Sequence, residues 1–364
     1  MINRVPVSIV TGFLGSGKTT LLNRVLRHPA LANAAVIINE FGEIALDHLL
    51  IETPAENMVM LASGCICCTV RGDLVNTLRD LNAKREAGTI PCFDRVLVET
   101  SGLADPVPIL QTLITDAELE PLYRLGRVVT LVDAVHGESQ LDTQAEAVKQ
   151  ATLADRLLVT KSDIAPAAGA TALAARLARL NPGAELSFSV QGEIEPENLF
   201  GGEAGEFLRG DGVSRWLNAE RFPQVLAHHV HHDAHEHDTA DSQVSAFCIY
   251  CDQPVTSAGL VLWLNLLASL RGANLMRVKG LLNVEGKPVV VQAVQTLIHE
   301  PVTLERWPDS DRRSRLVFIT RNIGRAEIEK TLSALQFDGG SAAPASGFDA
   351  AAYTRFVAAV QKFR

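Results

Sequence analysis

The chain carries no surplus of positive charge and no long apolar run, and each absence closes off a class of function. Lys and Arg number 33 against 42 Asp and Glu, a formal charge of −9. A duplex nucleic acid needs a basic face opposite its phosphates, so nucleic acid is not an expected partner. No stretch approaches the roughly 18–20 uncharged apolar residues that cross a bilayer, so no membrane association is expected. The apolar opening VPVSIV covers only residues 5–10 before it runs into a glycine loop, which does not fit a signal peptide. The expected compartment is the cytoplasm.

Internal repeats are absent too, and so is a cysteine layout suited to a disulfide framework. Of the six cysteines, Cys65, Cys67 and Cys68 crowd into four residues, with Cys92, Cys248 and Cys251 elsewhere. Clustered thiols in a reducing compartment point instead to metal or redox chemistry.

What is present is ordinary globular composition, 47% hydrophobic and 21% charged, on 364 residues. That length accommodates two domains with a core each. Short β-branched runs at 6–11, 35–39, 58–61, 95–99, 127–132 and 156–160 alternate with helical spacing at 19–27, 73–84 and 167–180. Nearly continuous apolar strands separated by helices predict a mostly parallel sheet covered on both faces, an α/β domain over residues 1–190.

Residues 191–240 read as a connection, ending in the tract HHVHHDAHEHD. A small α+β domain is expected over 241–338. It has strands at 244–251, 275–284, 288–293 and 315–319, a hairpin turn at 285–287, and helices at 257–270 and 325–335. Residues 339–364 read as a linker and a terminal helix.

The chemistry begins at GFLGSGKT, a full match to G-x-x-x-x-G-K-[ST]. Gly12, Gly15 and Gly17 let the backbone curl so that successive N–H groups face phosphate oxygens. The helix opening at Lys18 adds its positive end. Ser16 and Thr20 complete the phosphate-binding set, Lys18 neutralises the β/γ oxygens, and the Thr19 hydroxyl is placed to hold Mg²⁺. The flanks fit, because a buried-type strand precedes this loop and an apolar helix follows.

RVLVETSG at 95–102 has the form of a Walker B strand with a γ-phosphate-sensing turn. Glu99 stands near Mg²⁺ and the Gly102 N–H near the γ-phosphate. LLVTKSD at 157–163 ends a strand in a base-reading box: Thr160 ties loops together, the Lys161 stem covers the base, and the Asp163 carboxylate accepts from guanine N1–H and the 2-amino group. Adenine offers no such pair of donors and leaves that charge unpaired.

SGCICCTVR at 63–71 follows an apolar strand. In extended backbone Cys65 and Cys67 point one way, and Cys68 starts a turn that can join them. Three thiolates suit Zn²⁺ and other borderline cations, leaving one tetrahedral position for water or a nearby Glu or His. Buried hydrophobic cysteines or a vicinal disulfide are the plainer alternatives. NEFGEIALD at 39–47 occupies the place of a first switch, and Glu40 and Asp47 are its candidate ligands for Mg²⁺ or the thiolate metal, against ordinary solvated acids. Six of the ten histidines lie in 228–237, a metal-loading arm or a solvated linker. Cys248 and Cys251, within a strand pattern, fit a core or edge-strand role.

Taken together, GFLGSGKTT, NEFGEIALD, GCICC, VETSGLADP and TKSD, in that order, resemble the CobW family of P-loop GTPases, which includes zinc metallochaperones and cobalamin-associated members. LLASLRGANLMRVKGLLN and RSRLVFITRNIG extend the resemblance over nearly the whole chain. It implies GTP binding with slow hydrolysis, Zn²⁺ or Co²⁺ at Cys65, Cys67 and Cys68, delivery to an acceptor protein, and a second domain that contacts the acceptor. Thr160 departs from the commoner Asn of the base box. Leu103 stands where Ras-like GTPases keep a water-orienting Gln, so turnover should wait on a partner or a nucleotide- or metal-dependent dimer. Other readings remain: a regulatory GTPase with structural zinc, cobalt delivery in cobalamin synthesis, and an ATP-using kinase or ligase.

Overall fold

The computed structural model describes residues 4–38, 59–62, 70–201, 212–222, 240–241 and 243–338. The chain divides into two compact units, the first formed by 1–204 with 236–242 and the second by 205–235 with 243–364.

In the first unit seven described strands form one sheet in the order β3-β2-β4-β1-β5-β6-β7. They are β1 (Val5–Gly12), β2 (Ala34–Ile38), β3 (Val59–Ala62), β4 (Arg95–Glu99), β5 (Tyr123–Asp133), β6 (Arg156–Thr160) and β7 (Glu185–Ser189). Every pairing among them is parallel. The helices between them are α1 (Lys18–Val25), α2 (Val70–Glu86), α3 (Val107–Thr115), α4 (Gly137–Thr143), α5 (Ala145–Leu153), α6 (Ala167–Leu180) and α7 (Pro196–Phe200).

All five residues of β2 are buried, as a parallel strand covered on both faces requires. In α6 the buried residues Ala170, Leu173, Leu177 and Leu180 recur at helical spacing and form its inner stripe. Leu199 and Phe200 of α7 pack with Leu21, Leu22 and Val129 in the core. The first domain therefore runs past residue 190, where the sequence pattern ends it.

The second unit contains an antiparallel sheet in the order β11-β10-β9-β13-β8, with β12 paired to β10. Its strands are β8 (Val244–Cys251), β9 (Leu275–Val284), β10 (Lys287–Val294), β11 (Leu297–Ile298), β12 (Val302–Thr303) and β13 (Ser314–Arg321). Glu285 and Gly286, at φ 52° and 89°, turn β9 into β10, the two-residue loop that matches strand twist.

Helix α9 (Ser257–Arg271), capped by the Thr256 hydroxyl, lays Leu260, Trp263, Leu264 and Leu267 on one face of this sheet. The other face is covered by α8 (Gly212–Leu217) and the turn Ala219–Arg221, through Val213, Trp216, Leu217 and Phe222. Part of the expected connection is thus a cover of the second core. The helix expected over 325–335 is broken into α10 (Arg325–Glu329) and a 3-10 turn, Leu332–Gln336.

Cys248 and Cys251, three apart on edge strand β8, belong to opposite faces of the sheet, as strand alternation requires. They cannot chelate one ion in this arrangement. Burial pushes the Cys248 thiol up to about 11 and raises that of Cys251, which disfavours the thiolate. Among the described residues no helix is long and apolar enough to cross a membrane.

Candidate nucleotide site

The carboxyl ends of the parallel strands bring the sequence motifs to one rim, where open α/β sheets bind ligands. Strand β1 ends at Gly12, whose φ is 146° and whose added Cβ would lie 2.4 Å from the Leu131 carbonyl oxygen. Only glycine fits there. Gly15 and Gly17 have φ 74° and 91°, and Gly17 is the N-cap of α1 with no side chain to occupy the first N–H groups. The first N–H groups of a helix lack intrahelical partners and suit an anion. The Lys18 ammonium donates to the carbonyls of Gly12 at 2.9 Å and Phe13 at 3.4 Å, which holds the positive charge over the loop.

The next strand over, β4, ends at Glu99, 4% exposed. The Thr19 hydroxyl donates to Glu99 Oε1 at 3.2 Å, joining the two residues read from sequence as the Mg²⁺ pair. A hydroxyl and a carboxylate are hard oxygen donors and fit that ion. The turn after β4 lies directly against the phosphate loop. A Cβ on Gly102 would come within 2.6 Å of Leu14 Cδ2 and 2.7 Å of the Leu14 backbone nitrogen. Glycine at 102 is thus required by close approach of two backbones.

The base box stands beside the loop on β6. The Thr160 hydroxyl donates to the Ser16 carbonyl at 2.8 Å, so threonine ties the box to the phosphate loop. Lys161 adopts φ 57°, a left-handed conformation that disfavours a side chain and persists only where its surroundings hold it. Its ammonium pairs with Asp133 Oδ2 at 2.8 Å. Asp163 follows in an exposed turn, its carboxylate open to a ligand.

A model of the CobW/HypB/UreG nucleotide-binding domain matches residues 6–188, and one of the cobalamin synthesis protein CobW C-terminal domain matches 244–336. The chain belongs to the CobW/HypB/UreG family of P-loop GTPases. The CobW-type C-terminal domain places it among the CobW members. It is 35% identical to the zinc chaperone YjiA of Escherichia coli K12, over 92% of this chain and 100% of that protein. It is 32% identical to the zinc chaperone CobW of Pseudomonas aeruginosa, over 90% and 91%. The crystal structure of Zn(II)-bound YjiA GTPase from E. coli superposes with a TM-score of 0.69 at 30% identity, over 92% of this chain and all of that one.

In this CobW-family GTPase three contributors to the site escape the motifs. Asp133, 1% exposed, ends β5 and accepts from Val135 N and His136 N as well as Lys161. Gln150 of α5 donates to the carbonyls of Gly102 and Ala104. The turn after β7 reaches α1, because a Cβ on Gly192 would sit 3.1 Å from the Thr20 carbonyl oxygen. Ser189, which opens into that turn, pairs in register with Thr160. An acid closing an apolar strand was visible in LVDA, but its partner 28 residues on was not.

Glu40, Asp47, Cys65, Cys67, Cys68 and the histidine tract at 228–237 lie outside the described residues. Among the described residues no group of three or more His, Cys, Asp or Glu is placed to hold a metal ion.

Proposed function

We propose that this GTPase is a metallochaperone that takes Zn²⁺ as cargo on Cys65, Cys67 and Cys68 and passes it to an acceptor protein under control of the nucleotide. The observation that carries the reading is a register. Ala62 pairs with Ile38, and Ile38 pairs with Glu99, so the ends of β3, β2 and β4 stand in one row at the phosphate rim. The chain leads on to the cysteines from the end of β3, and so from the rim that Glu99 borders. The acidic segment 39–47 starts from the middle of the same row. The chaperone names of the two relatives support the cargo role.

In this reading the glycine loop and Lys18 bind the triphosphate, Asp163 selects guanine, and Lys161, held by Asp133, covers the base. Thr19 and Glu99 would hold Mg²⁺, which would supply charge neutralisation to the triphosphate when bound. Gly102 presents its N–H where the γ-phosphate ends, so the turn after β4 distinguishes triphosphate from diphosphate. The following residue, Leu103, is 52% exposed and brings no amide to orient water, which keeps intrinsic turnover slow.

Replacement of Cys65, Cys67 and Cys68 together by serine should abolish tight Zn²⁺ binding in equilibrium dialysis and leave GTP binding intact. Stripping Zn²⁺ from the parent with a chelator should leave its thermal midpoint within about 2 °C, as expected for cargo and not for a metal that holds the fold. Unfolding on chelation would convert the proposal into a structural zinc site.

A further inference from the structure

Helix α5 grips the segment after β4 with two neighbouring side chains. Lys149 pairs with Asp105 at 2.6 Å, and Asp105 also accepts from the Val107 N–H at the start of α3. Gln150, 1% exposed, donates to the Gly102 carbonyl at 3.2 Å and the Ala104 carbonyl at 3.0 Å. Two carbonyl oxygens on one amide nitrogen fix its orientation, since only the NH₂ end has two donors to give.

The other end of the amide, Oε1, is buried with no hydrogen-bond partner among the described residues. The side chain also lines a small cavity with Phe13, Leu131, Gly137, Leu141 and Ala147. One residue thus borders both the sensing turn and Phe13 of the phosphate loop. Its own backbone is anchored in turn, since the Gln150 carbonyl accepts from the Thr130 hydroxyl on β5 at 2.9 Å.

We propose that Gln150 is the positioning residue of the triphosphate sensor: it fixes the turn at Gly102 so that its N–H meets a γ-phosphate, and it contributes little to holding a diphosphate. This rests on the GTPase reading of the site. The geometry explains the expected selectivity. Gly102 and Ala104 lie on the turn beyond β4, whereas the α- and β-phosphate contacts come from the loop at 12–19, which is ordered by its own glycines and by Thr160. Losing the two donors leaves the buried Gly102 carbonyl and the half-buried Ala104 carbonyl without their amide and frees the turn, not the loop.

The test compares a fluorescent non-hydrolysable GTP analogue with fluorescent GDP on the parent, Gln150→Glu and Gln150→Met. The first variant keeps the shape and sets a carboxylate against the two carbonyls; the second keeps approximate volume without donors. Analogue affinity should fall about 10- to 100-fold, the range for a pair of hydrogen bonds, with GDP affinity held within about twofold. The turnover number should fall with the analogue affinity. If Gln150→Glu does not fold, Gln150→Met decides. Equal weakening of both nucleotides with a lowered thermal midpoint would make Gln150 merely structural, and unchanged analogue binding would also overturn the proposal. A parent that binds neither guanine nucleotide sinks the reading of the site beneath it.

Discussion

Replacing Lys18 with methionine should reduce GTP turnover by about 10²–10³-fold, the scale of removing one preorganised electrostatic contact to a charge-bearing transition state. Methionine keeps most of the stem and deletes the ammonium that the Gly12 and Phe13 carbonyls hold over the loop. The glycine backbone is untouched, because Gly12, Gly15 and Gly17 owe their conformations to their own positive φ. The effect should therefore appear in single-turnover hydrolysis and in triphosphate affinity, with the thermal midpoint close to the parent's. A variant that hydrolyses GTP at the parental rate would remove Lys18 from the reaction.

Asp163→Ala should erase the preference for guanine. On the proposed reading the carboxylate would accept two hydrogen bonds from a guanine edge, and bonds to a charged acceptor contribute about 1.5–3 kcal/mol each. Because Asp163 is exposed in the free protein, solvent competes and the lower end applies. A loss of about 3 kcal/mol corresponds to about 10²-fold weaker GTP binding. ATP binding should be unchanged or slightly improved, so competition between GTP and ATP for the site is the measurement. The variant should retain its fold, since no core packing depends on this turn residue. An unaltered ratio of GTP to ATP affinity would move base recognition elsewhere.

The parts of this site that a sequence exposes are those whose chemistry is local. A glycine that must take φ 146° beneath a carbonyl leaves a glycine in the sequence, and the loop was legible for that reason. Strands β1, β2, β4 and β6 were legible because burial on both faces makes them mostly apolar. Strand β7 was not, since ELSFS is only partly buried at the sheet edge and Phe188 stays 48% exposed. The partners of Asp133 and Gln150 were invisible for another reason. Each acts on a residue 28 or 48 positions away, and only the strand order brings them together. The segment 212–222 reads as connection because it lies between a Gly- and Glu-rich stretch and the histidine tract, yet Trp216 and Phe222 find a sheet face to cover.

A chaperone differs from a GTPase that merely contains zinc in one thermodynamic respect. If the nucleotide state alters the affinity for Zn²⁺, the metal alters the affinity for nucleotide by the same factor. The register of Ala62, Ile38 and Glu99 gives a physical route, because the chain into the cysteines and the chain into the acidic segment both leave from the rim that Gly102 and Thr19 also border. Equilibrium titration of Zn²⁺ into the GTP-analogue form and into the GDP form measures this coupling directly. The expected result is a difference of about 5- to 150-fold in zinc affinity between the two forms, the usual span of such couplings. Identical zinc affinities in the two forms would contradict nucleotide-controlled delivery.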